Sequence, residues 1–150
     1  MNYNLLIFVL MLMIISITDI KFFIIPNIFV ILLLIPGIIE LFYLFSKMLL
    51  LGGIFGLIIF LILYLLFPKG IGLGDVKLAG AIGLFLGLKL TILAILLSFL
   101  SGAIVGLLLI ALHKKSMKDP IPFGPFLAFG AITSLFFGEY IINWYMNLFL

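Results

Sequence analysis

The sequence predicts an all-α fold, a polytopic transmembrane helical bundle of about six spans, and three observations carry that expectation. Of 150 residues, 67% are hydrophobic and only 9% charged, with a mean hydropathy of +1.59. A soluble domain cannot cover its surface with so few charges. The apolar runs are continuous and not alternating, and lipid offers no water to backbone groups, so the spans are helices and not barrel strands. Polar breaks then divide the chain at intervals close to the 20 or so residues that cross a bilayer. The whole chain, 1–150, reads as one membrane-embedded domain with no room for a sizeable soluble one.

The first run extends from Leu5 to about Thr18 and ends at Asp19-Ile20-Lys21, with Met1 to Asn4 as a short tail. It has no basic stretch before it and no small-residue cleavage site after it, which marks a retained helix and not a removable signal. Phe22 to Asn27 form a turn, because Pro26 disfavours helix at Ile25 and suits the start of a new one. A second span, roughly Ile28 to Phe45, carries Pro36-Gly37 and is expected to kink there. Ser46-Lys47 separates it from the third run, Met48 to Phe67. Pro68-Lys69-Gly70 stops that helix, and a glycine-rich break follows.

The next run, Val76 to Leu88, is short for a full span at 1.5 Å per residue, so it is expected to tilt or to start below the surface. Lys89 opens a fifth run through about Leu112. His113 to Pro120 form the most polar loop, and the last span runs from about Phe123 to Ile142, with Trp144 and Tyr145 suited to an interfacial belt.

There is no cysteine and a single histidine, which removes disulfides, a thiolate nucleophile and a zinc cluster. No metal or cofactor is expected. The net charge of +3 comes from eight lysines and no arginine. They punctuate the apolar runs, so they read as topology signals facing the lipid bilayer and not as a nucleic-acid surface. With the N-terminus outside, Lys21, Lys69, Lys77, Lys114, Lys115 and Lys118 fall on the cytoplasmic side and only Lys47 and Lys89 opposite, which satisfies the positive-inside bias. Asp19 then ends an inward-running helix and Asp75 begins an outward-running one. Two carboxylates far apart in sequence meet near one face.

The organising stretch is Gly70-Ile71-Gly72-Leu73-Gly74-Asp75-Val76-Lys77. An aspartate this close to hydrocarbon is costly and by default marks a functional site with a partner, for which Asp19 is the candidate. Facing carboxylates in a poorly solvated site cannot easily both ionise and can share a proton. The ionised member takes a proton from water while the protonated one hydrogen-bonds a scissile carbonyl, and the roles reverse as the amine leaves. Small residues recur in fours: Asp75, Ala79, Gly83 and Gly87 share a face, with Gly52 and Gly56 on the third run, so helices can approach closely. The row beneath Asp75 is expected to let a neighbour bring Asp19 near.

Asp19-Ile20-Lys21-Phe22-Phe23-Ile24-Ile25-Pro26-Asn27, Gly72-Leu73-Gly74-Asp75-Val76-Lys77-Leu78 and Ile121-Pro122-Phe123-Gly124-Pro125 together resemble the type IV prepilin peptidases, membrane aspartyl proteases with a Gly-x-Gly-Asp motif. The resemblance implies Asp19 and Asp75 as the catalytic pair, with Gly72, Gly74, Lys77, Pro26 and Asn27 in support. It also implies prepilin or pseudopilin substrates cut at the cytoplasmic face of the inner membrane. Larger members carry a cytoplasmic segment with cysteine pairs and also methylate the pilin; this cysteine-free short form is expected to act as a peptidase only. Presenilins share Gly-x-Gly-Asp but pair it with Tyr-Asp and Pro-Ala-Leu, whereas Thr18 precedes Asp19 here.

Bland readings accompany several residues. Lys77 either tunes Asp75 or contacts substrate, or simply snorkels. Glu40 and Glu139 face water at the outer end, and His113 is interfacial. Pro122, Gly124 and Pro125 read as a chain stop, or else as the rim of the site. The rival class is a small proton-coupled transporter or channel subunit with aspartates as ion relay, and an inactive relative is a third. No pattern fixes an oligomeric state.

Overall fold

The computed structural model describes residues 3–68, 70–114, 116 and 119–149. Among these it holds five helices and no strand: α1 (Tyr3–Phe22), α2 (Asn27–Leu44), α3 (Lys47–Leu66), α4 (Leu73–Ala111) and α5 (Gly124–Phe149). Each is long and apolar enough to cross a membrane. Their outer faces carry many exposed large aliphatics and aromatics, as a lipid-solvated surface requires. The protein is a multi-pass membrane protein.

Six apolar runs become five helices because the fourth and fifth abut at a kink with no loop between them and together form α4, whose 39 residues would reach about 58 Å if straight, about twice the hydrocarbon thickness. It is not straight. Gly87, at φ 77° and ψ 167°, breaks the helical backbone, a conformation essentially reserved for glycine. Before the break, Gly83 and Gly87 lie against Gly52 of α3, and Ala79 against Gly56 one turn further along. Beyond it, Phe99 stacks on Phe60, one turn further again, at 5.9 Å. Contacts therefore first fall and then rise along α4 as α3 is followed in one direction, and the chain doubles back at Gly87. The first arm, Leu73–Leu86, is only about 21 Å long. The expectation of a short span at this place is met.

All five helices consequently reach one end of the bundle with Asp19, Asn27, Leu66, Leu73 and Gly124, here called the aspartate end. The opposite end gathers Lys47, the Gly87 reversal and the Lys89–Glu139 ion pair at 2.9 Å. Asn4 donates to Glu40 at 3.4 Å there as well. The first arm of α4 is the centre of the bundle and is buried on nearly every side, from Asp75 through Gly83. Ser134 of α5 donates to the Leu90 carbonyl at 2.7 Å and Phe8 of α1 stacks on Phe85 at 4.0 Å, which anchor the outer helices to α4.

Several boundaries differ from the sequence expectation. Tyr3 and Asn4 belong to α1 and not to a tail. Asp19 lies within the last turns of α1, which runs on to Phe22, and Pro26 occupies the position just before α2 instead of its first turn. Pro36 is buried inside α2. Trp144 and Tyr145 lie on α5, exposed, since that helix outlasts the expected span. Lys69, Lys115 and Lys118, used above as topology signals, lie outside the described residues.

Candidate active site

Asp19 continues the buried stripe of α1, where Phe8, Leu12, Ile15 and Asp19 follow at spacings of three and four and all face inward. A carboxylate thus stands where the pattern calls for another aliphatic side chain, near the negative end of the helix macrodipole. The start of α5 compensates. Gly124, the first residue of that helix, donates its N–H to Asp19 Oδ2 at 2.8 Å in a buried contact. The first N–H groups of any helix lack intrahelical partners, so Asp19 satisfies one of them. A Cβ on residue 124 would lie 2.7 Å from the same oxygen, which only glycine avoids.

Asp75 is the third residue of α4. Its Oδ2 accepts the Gly72 N–H at 3.0 Å, and its own N–H donates to the Gly72 carbonyl at 3.1 Å. A carboxylate in the first turn is favourable to the macrodipole. The second oxygen, Oδ1, is buried without a hydrogen-bond partner, and such a group is rare unless a site uses it. Asp75 is 7% exposed and Asp19 5%, and Asp75 lies within electrostatic reach of Asp19. Each aspartate thus has one oxygen tied to an N–H at the start of a helix, Asp19 to α5 and Asp75 to α4.

The small-residue row does not bring Asp19 near, contrary to expectation. Gly83 and Ala79 face Gly52 and Gly56 of α3, while α1 packs on α2 and α5. Lys77, for which tuning of Asp75, substrate contact and snorkelling were all open, is exposed and donates from Nζ to Asn27 Oδ1 at 3.0 Å. A Cβ on Gly74 would meet Ile25 Cβ at 2.9 Å. These two contacts, Ile25 with Gly74 and Asn27 with Lys77, join the start of α2 to the start of α4, with Pro26 between them. The two sequence motifs are one structural unit.

The model of the type IV leader peptidase family matches residues 6–107, a span that takes in both aspartates, Pro26-Asn27 and Gly72 through Lys77. The chain belongs to that family. Curated relatives include the prepilin leader peptidase/N-methyltransferase of Bacillus subtilis strain 168, 31% identical over 151 residues, covering 95% of this chain and 58% of that protein. The protein of the same name from Pseudomonas aeruginosa is 36% identical over 101 residues, 64% of this chain and 35% of the relative. That of Legionella pneumophila is 42% identical over 76 residues, 51% of this chain and 26% of the relative. The chain therefore spans between 26% and 58% of the length of these relatives. No solved structure matches it.

In this type IV leader peptidase family member, sequence reasoning underrated two residues at the site. Gly124 read mainly as a chain stop, although the Pro122-Phe123-Gly124-Pro125 stretch was the signal available, and it lies beyond the family match. Ile25 was read as part of the Asp19–Asn27 motif, but nothing in the sequence pointed to its contact with a glycine 49 positions away.

Proposed function

We propose that this chain is a membrane aspartyl endopeptidase that removes the leader from prepilin or pseudopilin proteins. The observation that carries the reading is the pairing of Asp19 and Asp75, buried together at one end of the bundle, with Asp75 Oδ1 unpartnered. In the proposed reaction the ionised aspartate takes a proton from a water that attacks the scissile carbonyl. The protonated aspartate hydrogen-bonds the carbonyl oxygen and then gives its proton to the departing amine. The backbone N–H of Gly124 and that of Gly72 hold the two carboxyls in register, and neither step requires a metal.

We assign the aspartate end to the cytoplasmic face of the inner membrane. Lys21, Lys77 and Lys114 border that end, and by sequence Lys69, Lys115 and Lys118 belong to the same connections, against Lys47 and Lys89 opposite. The printed names of the relatives join leader cleavage to N-methyl transfer; the proposal concerns the cleavage, because that is the chemistry two aspartates supply. An ion relay would spread its carboxylates over several depths, whereas here both share one level.

The test is a gel-shift assay in which a prepilin from the same genome is co-expressed with the wild-type chain, Asp19→Asn or Asp75→Asn. Loss of the leader with wild type alone, while both variants accumulate in the membrane, is the expected result. Cleavage that survives both substitutions would overturn the aspartate mechanism. Failure of a folded wild-type protein to cut several authentic prepilins would return the transport reading.

A further inference from the structure

Although α2 and α3 are consecutive, a gap separates Asn27–Leu34 of α2 from Leu50–Leu57 of α3. The first arm of α4 floors this gap, leaving a cavity of about 500 Å³ open to the side. Its walls are aliphatic, with Ile31 and Leu34 on α2 facing Leu50 and Ile54 on α3. Its floor is small, formed by Gly80 and Ala81 beside Gly53, so the groove is deep and not a shallow furrow. Asn27 and Lys77 stand at the aspartate end of the groove, and among the described residues Lys77 is the one charged side chain that lines it.

The surroundings choose the occupant. Each helix contributes about two turns to the groove, from Asn27 to Leu34, from Leu50 to Leu57 and from Lys77 to Leu84. The groove opens sideways between helices long and apolar enough to cross the bilayer, so lipids meet it, and their flexible acyl chains can follow its aliphatic walls and small-residue floor. The charge completes the match. Lys77 Nζ spends one donor on Asn27 Oδ1, and an ammonium carries three. The remaining donors stand at the end of the groove where a phosphate headgroup would lie.

We propose that this groove is a binding site for an anionic phospholipid, with its acyl chains between Ile31 and Ile54 and its phosphate on Lys77. The site is independent of the peptidase reading, since neither aspartate lines it. A lipid there fills the gap between α2 and α3 and holds the Asn27–Lys77 junction of the two motifs from outside.

The experiment is native mass spectrometry of the full chain in detergent, delipidated and then offered equal concentrations of phosphatidylglycerol and phosphatidylcholine with matched chains. Wild type is expected to retain one lipid with a preference of about fivefold for the anionic one, the scale of a single lysine at an anionic headgroup. Lys77→Gln should bring the two lipids to parity, and Lys77→Arg should restore the preference. Ile54→Trp, and independently Ile31→Trp, should abolish retention of both lipids by filling the groove, with helical circular dichroism unchanged. Equal retention by wild type, an unaltered preference in Lys77→Gln, or retention undiminished by either tryptophan would overturn the proposal. So would complete displacement by millimolar inorganic phosphate, which would mark a small-anion site, or by an apolar helical peptide, which would mark a protein partner.

Discussion

Gly124 and Asp19, 105 residues apart, are joined by a 2.8 Å hydrogen bond from the backbone N–H of one to the carboxylate of the other. The first turn of the last helix thereby holds the carboxylate of the first. Gly124→Ala places a methyl group 2.7 Å from Asp19 Oδ2, inside van der Waals contact, and displaces the carboxyl. Leader cleavage should fall by about 100-fold, the usual cost of a displacement near 1 Å at reacting groups. The check is initial cleavage rate against membrane-accumulated protein, and an unchanged rate would remove Gly124 from the site.

Asp75 should behave oppositely in stability and in activity. Its Oδ1 is buried without a partner, a situation that costs about 1–3 kcal/mol, and it stands near a second carboxylate. Asp75→Asn keeps the acceptor for Gly72 and removes the second carboxyl from the neighbourhood of Asp19. Thermal unfolding in detergent should show a higher midpoint for the variant while cleavage is lost.

The contact between α3 and α4 depends on two glycines meeting backbone to backbone. A Cβ on Gly83 would strike the Gly52 carbonyl oxygen, and one on Gly52 would strike Gly83 in return. Gly83→Ala should destabilise the bundle by about 1–3 kcal/mol, the range for forced overpacking, with lower accumulation and an earlier unfolding midpoint. Leu57→Val on the same helix pair should cost less.

The reversal at Gly87 is a separate vulnerability. With φ 77° and ψ 167°, Gly87→Ala meets no serious obstruction in space, the nearest side-chain atom being Leu49 Cδ2 at 3.4 Å. The backbone alone should cost about 1–3 kcal/mol. An unaltered melting profile would argue against the doubled-back path of α4.

The Lys89–Glu139 pair is the control. Its side chains are 56% and 66% exposed, and exposed pairs contribute between nothing and about 1 kcal/mol. Glu139→Gln should leave unfolding and cleavage within error of wild type, and salt should not change that comparison.

Much of this was legible in the residues. Apolar runs and lysine breaks gave the helices, and counting their alternating directions put Asp19 and Asp75 at the same end without any knowledge of packing. Local pattern could not say which faces meet. The row Asp75, Ala79, Gly83, Gly87 advertised a close approach, but a small residue does not name its partner, and α3 carried a matching row. Lys77 followed Asp75 closely in sequence, yet two helical positions are about 200° apart, so its side chain left for Asn27. Gly124 was weighed only as a chain stop or as the rim of the site, because its contribution is a backbone N–H, which every residue but proline possesses.

The bond between Asp19 and Gly124 also sets an order of events. As the chain is made from its N-terminus, α1 enters the membrane with the Asp19 carboxyl facing a neighbour that does not yet exist. Its partner N–H arrives only after α2, α3 and both arms of α4 are in place and α5 has docked. The paired carboxylates are therefore assembled last, and a half-synthesised chain lodged in the membrane cannot hold them in working geometry beside other newly inserted proteins.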